Sequence, residues 1–279
     1  MPNAVVTSVH VYPVKSLAGR TPNEVAVEPW GLAADRRWMV VGPDDRAVTQ
    51  RELPRMALAS AEPLPGGAVR LSAAGREPLT VPVPDAHEAH AVKLFQETVE
   101  LVPAGPVADD WLGDFLGTPV RLMHLDAPER RRALDPHYAR GDETVSLADG
   151  FPLLVTTLSS LDTLNSLIAR GDDAHEGPLP MNRFRPNVVL DGTAPWAEDG
   201  WERIRVGEVV FRGAKLCGRC VITTTDQRTA ERGREPLRTL GRHRLIDQKL
   251  VFGRNMVPEL PRDGGASTVR VGDPVEVLA

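Results

Sequence analysis

The stretch AVVTSVHVYPVKSLAGRTPN, residues 4–23, decides how the chain is to be read. Its first nine residues are β-branched or aromatic with partial alternation, and turn formers crowd the remainder, which predicts a strand followed by a loop. Working outward, the same pattern recurs in EVAVEPW (24–30), RRWMVVG (36–42), AVTQ (47–50), MALASAEPL (56–64), AVRLSAA (68–74) and PLTVPV (78–83), with Gly or Pro between nearly all of them. The first hundred residues therefore predict a β-rich meander. Short helices are expected at Ala91–Glu97 and at Asp109–Gly117, where Trp111, Leu112, Phe115 and Leu116 fall at helical spacing.

The run APERRRALDPHYARGDE (127–143) is dense in charge and predicts an exposed connection near a domain boundary. Beyond it FPLLVTT (151–157) predicts a buried strand. Ser159 or Ser160 is then the expected cap of a helix carrying Leu161, Leu164 and Leu167. Strands are expected again at PNVVLDG (186–192), WERIRVGEVVF (201–211), CVITTTD (220–226) and TVRVGDPVEVL (268–278). The reading is mostly β with a few helices (α+β), in two units at residues 1–122 and 123–279.

Composition narrows the function classes. The 279 residues are 42% hydrophobic and 25% charged, which excludes a disordered chain. Lys and Arg number 33 against 38 Asp and Glu, a net charge of −5, the wrong balance for neutralising a nucleic-acid backbone. Gly and Pro make up roughly one residue in six, against an average nearer one in eight, so turns are frequent. No stretch approaches the ~20 apolar residues that cross a bilayer, and the first residues lack a secretory signal pattern, so a cytoplasmic protein without membrane attachment is expected.

The two cysteines lie together as Cys217-Gly218-Arg219-Cys220. A thiolate is the strongest soft ligand and nucleophile a protein offers, and four readings compete for this pair. A thioredoxin-like dithiol needs a helix N-terminus, whereas VITTTD predicts a strand. Zinc needs further ligands, and no histidine stands at a local ligand spacing. The pair is otherwise a structural pair of small buried residues, or one cysteine ligates a soft metal brought by a cofactor.

Ordered motifs then add a resemblance. VYPVKSLAG (11–19), GLAADRRWMVV (31–41), AVTQRELPRMALA (47–59), ADGFPLLVTTLSSLDTLN (148–165) and NRFRPNVVLDG (182–192) are joined by CGRCVITTTDQRTAERGREPLRTL (217–240), VFGRN (251–255) and VRVGDPVEVL (269–278). Together they resemble MOSC-domain proteins with an N-terminal MOSC β-barrel domain, the family of the mitochondrial amidoxime reducing component and bacterial YcbX-type proteins. The resemblance covers nearly the whole chain. It implies an N-terminal MOSC β-barrel-like domain, a C-terminal MOSC β-barrel domain and a molybdenum cofactor (molybdopterin) between them, with Cys220 as the metal's thiolate ligand and catalytic centre, and Cys217 as a neighbour.

It further implies cofactor-binding roles for Lys15, Ser16, Arg36, Asp149, Gly150, Phe151, Arg185, Asn187, Arg219 and Asn255. Arg and Lys suit a phosphate, Asn suits a pterin edge, and Gly lets backbone amides approach. The implied activity is two-electron reduction of N-hydroxylated compounds with electrons from a separate ferredoxin or flavoprotein reductase. The alternative is a molybdenum cofactor or sulfur carrier without turnover. Asn255 stands where the mitochondrial relatives carry tyrosine, a departure that bears on substrate selection. The family's C-terminal ferredoxin domain and N-terminal membrane segment are not expected here. No proton donor is assigned, since a carboxylate in a turn such as Asp149 serves more often as a local acceptor.

Overall fold

Val6 and Val9 both point into the core although they are three residues apart, because a β-bulge between Val6 and Ser8 shifts the register of the first strand against its neighbour. That strand helps to close a barrel. The computed structural model describes residues 4–85, 88–260 and 267–278. In chain order the strands are β1 (Ala4–Val9), β2 (Glu24–Glu28), β3 (Gly31–Leu32), β4 (Trp38–Val41), β5 (Ala59–Pro63), β6 (Val69–Ala73), β7 (Leu79–Val81), β8 (His90–Leu94), β9 (Glu97–Pro103), β10 (Arg121–His124), β11 (Leu153–Thr157), β12 (Val188–Asp191), β13 (Arg203–Val206), β14 (Val209–Gly218), β15 (Leu245–Ile246), β16 (Lys249–Glu259), β17 (Ser267–Arg270) and β18 (Pro274–Leu278). The α-helices are α1 (Pro106–Leu116), α2 (Pro128–Arg131), α3 (Leu158–Ile168) and α4 (Leu237–His243).

The largest sheet runs β11-β12-β1-β18-β13-β14-β16-β15, and a further pairing of β11 with β16 closes its first seven strands into a barrel. Both chain ends contribute, since β1 lies between β12 and β18. The barrel core holds Val6, Leu153, Val155, Leu190, Ile204, Phe211 and Met256. Gly213 marks a close approach: a Cβ there would stand 2.2 Å from the Trp201 carbonyl oxygen, and the β14–β16 register shifts between Gly213 and Lys215. Helix α3 covers the barrel with Leu161, Leu164 and Ile168, against Phe184 and Phe252.

The N-terminal half supplies two smaller sheets, β4-β10-β9-β8 and β5-β6-β7. Helix α1 starts at Pro106, ends on Gly117 in the left-handed region, and buries Leu112, Phe115 and Leu116 against a core with Trp38, Val40 and Leu71. The mostly β, few-helix architecture expected from sequence is the one observed.

Several local expectations are corrected. Ala91–Glu97 belongs to the β8–β9 hairpin and not to a helix: Val92 and Leu94 are buried while Ala91 and Lys93 are exposed, a period of two. AVTQ contributes only a bridge at Ala47, because the Glu52 carboxylate accepts from both Thr49 N and Thr49 Oγ1, at 3.0 and 2.6 Å, and curls the chain into a turn. Thr157, not Ser159 or Ser160, caps α3, its Oγ1 accepting from Ser160 N at 3.2 Å. Within 127–143, where the side chains at 130 and 131 lie outside the described residues, the connection is not wholly exposed. Arg132 and Leu134 are buried, and Arg132 donates to Glu97 and to the carbonyls of Ser146 and Ala148.

Candidate functional site

Three loops meet where β1 ends and β11 and β12 begin. The loop after β1 carries Lys15 and Ser16, both buried, and it is tied to the N-terminal sheet by a backbone bond from Lys15 N to the Trp38 carbonyl at 2.8 Å. Ser16, Arg36 and Arg185 all take positive φ, 69°, 47° and 52°, a sparsely populated backbone region for side chains of this kind. Such strain concentrates at binding sites.

Tyr12 gathers two of the cations. The Arg36 and Arg185 guanidinium carbons stand 4.3 and 4.2 Å from its ring centroid. Asp35, fully buried, fixes this group by accepting from Tyr12 N at 2.8 Å and Arg36 Nη1 at 2.5 Å. Arg185 donates to the Leu17 carbonyl at 2.8 Å. Burial pushes Arg185 down to about 10, and with far less margin it pushes Lys15 down to about 8 despite the opposing pull of Asp149. Both remain cations at neutral pH.

Asp149 accepts from Lys15 Nζ and, at 3.1 Å, from Arg51 Nη2. Its side chain keeps 57% of its surface open because it stands on a cavity wall, but protein surrounds it. Burial raises its pKa, and the two cations outweigh that and hold it well below the usual carboxylate range. Asp149 is therefore an ionised acceptor.

Cys217 is the last residue but one of β14, and Cys220 opens a single 3-10 turn, Val221–Thr224. The strand expected over CVITTTD does not form. Thr223 Oγ1 and Thr224 Oγ1 each donate to the carbonyl three residues back, Cys220 O and Val221 O, at 2.9 Å, which favours a tight turn over the β-propensity of the run. Each sulfur has its own arginine. Arg219 Nη1 lies 2.9 Å from Cys217 Sγ, and Arg51 Nη2 lies 3.4 Å from Cys220 Sγ.

Lys15, Ser16, Arg36, Asp149, Gly150, Phe151, Arg185, Asn187, Arg219, Cys220 and Asn255, the full set expected from sequence, all line one cavity of about 350 Å³, within the range of small-ligand sites. Cys217, Lys215 and Lys249 line it as well. Asn187 is spent on the protein: its amide oxygen accepts from Leu154 N and Arg36 Nη1, and its nitrogen donates to the His10 carbonyl. It pins the loops together.

Sequence reasoning missed Arg51, Tyr12, Lys215 and Lys249. Tyr12 and Arg51 sit inside the quoted motifs, so their signal was adjacency. Arg51 is set by Gln50, whose amide pairs reciprocally with Gln227 at 3.1 and 3.0 Å, and by Arg232, which donates to the Gln50 and Arg51 carbonyls.

The cavity lining carries six basic side chains, Lys15, Arg36, Arg185, Lys215, Arg219 and Lys249, against one carboxylate, Asp149. Beside the sulfurs, Arg51 Nη1 and Arg219 Nε are buried without a hydrogen-bond partner. A Cβ on Gly150 would meet nothing within 4 Å, so the backbone opens directly on the space. A polyanion with a soft-ligand centre matches this wall. Among the described residues no group of three or more His, Cys, Asp or Glu side chains that could hold a metal occurs, and no helix is long and apolar enough to cross a membrane.

Residues 3–119 match the MOSC N-terminal beta barrel domain and residues 142–276 match the MOSC domain. The chain belongs to the MOSC-domain family. It is 32% identical over 293 residues to a human protein named mitochondrial amidoxime-reducing component 1, covering 98% of this chain and 82% of that one. It is 30% identical to the rat mitochondrial amidoxime reducing component 2, covering 97% and 82%. A zebrafish molybdenum cofactor sulfurase is 30% identical over 98% of this chain, which spans 34% of that protein.

Proposed function

We propose that this protein is a molybdenum-cofactor-dependent oxidoreductase that reduces N-hydroxylated compounds, namely hydroxylamines, amidoximes and N-hydroxylated bases, with electrons from a separate ferredoxin or flavoprotein reductase. The observation that carries this reading is Cys220, whose sulfur stands beside Arg51 on the wall of a cavity lined mostly by cations. The relatives named amidoxime-reducing component support the substrate class.

The molybdenum cofactor fits the residues present: its phosphate suits the Lys15, Arg36 and Arg185 cluster, and its metal suits a thiolate. When bound, it supplies the two-electron exchange that cleavage of an N–O bond requires. The chain's own residues do the rest. Cys220 ligates the metal and tunes its potential. Lys15 and Arg185 hold the anion through buried charges, and Ser16, Gly150 and Phe151 shape the floor. Arg219 fixes the Cys217–Cys220 loop by donating to the Phe184 carbonyl at 2.6 Å. Asp149 stays ionised and orients Lys15 and Arg51, so it does not give up a proton at neutral pH.

The match to a molybdenum cofactor sulfurase favours a second reading, a carrier of the cofactor or its sulfur without turnover. One experiment separates the two. Protein from a host that makes the cofactor is assayed for molybdenum and for reduction of benzamidoxime driven by reduced viologen. Molybdenum up to one atom per chain with turnover supports the reductase; molybdenum without turnover supports the carrier. Stoichiometric zinc with no molybdenum would remove both.

A further inference from the structure

We propose that Lys215 forms an anion subsite in this cavity, with Lys249 a second cation further along the same wall, so that the N-hydroxylated compounds reduced here are those carrying an acidic group, a carboxylate or a phosphate. The inference rests on the reductive reading above and adds the substrate class.

Lys215 Nζ stands 4.8 Å from the ring centroids of both Tyr138 and Phe151. Aromatic faces steady an ammonium without neutralising it, so its full charge remains to be met by a ligand. Among the described residues no ion pair with a carboxylate engages Lys215 or Lys249.

The seat is rigid. Phe151 is buried and meets the Tyr138 ring edge-on at 5.4 Å. The Tyr138 carbonyl accepts from buried Arg212 at 3.0 Å, and Arg212 in turn bonds Glu143 at 2.7 Å. The charged connection thus serves the cavity by backing Lys215. The register shift after Gly213 sets Lys215 opposite Asn255 across β14 and β16, with both side chains lining the cavity.

Lys249 comes from the start of β16. A Cβ on Gly218 would lie 3.6 Å from its Cβ and Cδ, so its stem runs along the cysteine loop. These two lysines stand on barrel strands, whereas Lys15 and Arg36 come from N-terminal loops and are already matched to Asp149 and Asp35. Two lining cations without counter-charges among the described residues leave positive charge on this wall for an anionic group beyond the one the loop cations hold.

The test uses the molybdenum-loaded protein with reduced viologen as donor. Its kcat/KM is compared for benzamidoxime, 4-carboxybenzamidoxime and 4-aminomethylbenzamidoxime at low salt, alongside calorimetric binding of the carboxylate compound to the oxidised protein. The carboxylate is expected to be preferred over the neutral compound by about tenfold, with the cationic one poorest, in line with one or two charge-assisted contacts. Lys215→Gln with Lys249→Gln should collapse that ratio and weaken carboxylate binding by about tenfold, with molybdenum per chain kept.

A ratio of one or below in the parent, or a ratio the double variant preserves, overturns the proposal. So does loss of molybdenum in the double variant, which assigns the lysines to the cofactor. Absence of turnover with all three compounds, while binding of the carboxylate still depends on the lysines, overturns the reductive reading and leaves the subsite standing.

Discussion

Arg51 Nη2 bridges Cys220 Sγ at 3.4 Å and Asp149 Oδ2 at 3.1 Å. The bridge reaches from the loop after β4 to the cysteine loop of the barrel, and the Gln50–Gln227 amide pair holds it in place. Phe95 backs the guanidinium, with its ring centroid 4.8 Å from Arg51 Cζ. The guanidinium thereby ties the cysteine loop to Asp149 and to the loop after β4. Arg51→Met should therefore weaken cofactor retention by roughly fivefold to tenfold, the value of a partly exposed charge-assisted bond of ~1 kcal/mol or a little more. Molybdenum per chain after gel filtration reads this directly. Retention equal to the parent's would make the contact incidental.

The loop cations should act together. Lys15→Ala and Arg185→Ala each remove a charged donor from a buried setting and should each lower cofactor affinity by about 1.5–3 kcal/mol, while the circular dichroism of the fold survives. If both variants hold molybdenum as tightly as the parent, the phosphate is held elsewhere.

Lys15 also makes retention pH-dependent. Burial leaves its folded value at about 8, below the free value of 10.5. Between these values the unfolded chain binds more protons, so the cost of burying this charge is full below pH 8 and fades as pH rises toward 10.5. Anion holding runs in the opposite sense, since it needs the charged form. Molybdenum retained after dialysis at pH 7, 8 and 9 should fall across the series in the parent and stay flat in Lys15→Arg. A flat parent profile would count against the assignment.

Acid should destabilise the N-terminal half through His124. Burial, with Arg37 adding to it, pushes its value down to about 4 from 6.5, and its ring packs on Trp38 at 4.3 Å. The folded value lies below the unfolded one, so stability is full above pH 6.5 and is lost as pH falls toward 4, by at most roughly 3 kcal/mol. The urea midpoint should drop between pH 7 and 4.5, and His124→Phe should flatten part of that drop. An unchanged slope in the variant would place the proton uptake elsewhere.

The difference between what was legible in sequence and what was not has a physical pattern. Strands such as β4 and β11 are fully buried runs, and α1 carries both its Pro start and its Gly end, so local chemistry agrees with the fold there. The site residues expected from the motifs share one cavity because loops at strand ends carry them. What escaped was set by distant partners. The β-propensity of Val221–Thr224 gave way to threonine hydroxyls bonding back along the chain. Arg132, in a run that looks solvated, is drawn inward by Glu97 and by carbonyls that only the fold assembles. Lys215 shows nothing in sequence of the two rings that frame it.

The most direct measurement is turnover per bound molybdenum in two variants, Cys220→Ser and Cys217→Ser. Serine at 220 replaces a soft thiolate by a hard hydroxyl that is hardly ionised, and donation to the metal is lost. Serine at 217 removes only the partner of Arg219, at a packing cost of at most a few kcal/mol. The expected result is collapse of amidoxime reduction in Cys220→Ser and a large remaining share in Cys217→Ser. Equal loss in both would point to a dithiol couple, and loss in neither to a structural pair; either outcome would contradict the assignment of Cys220 as the metal's ligand.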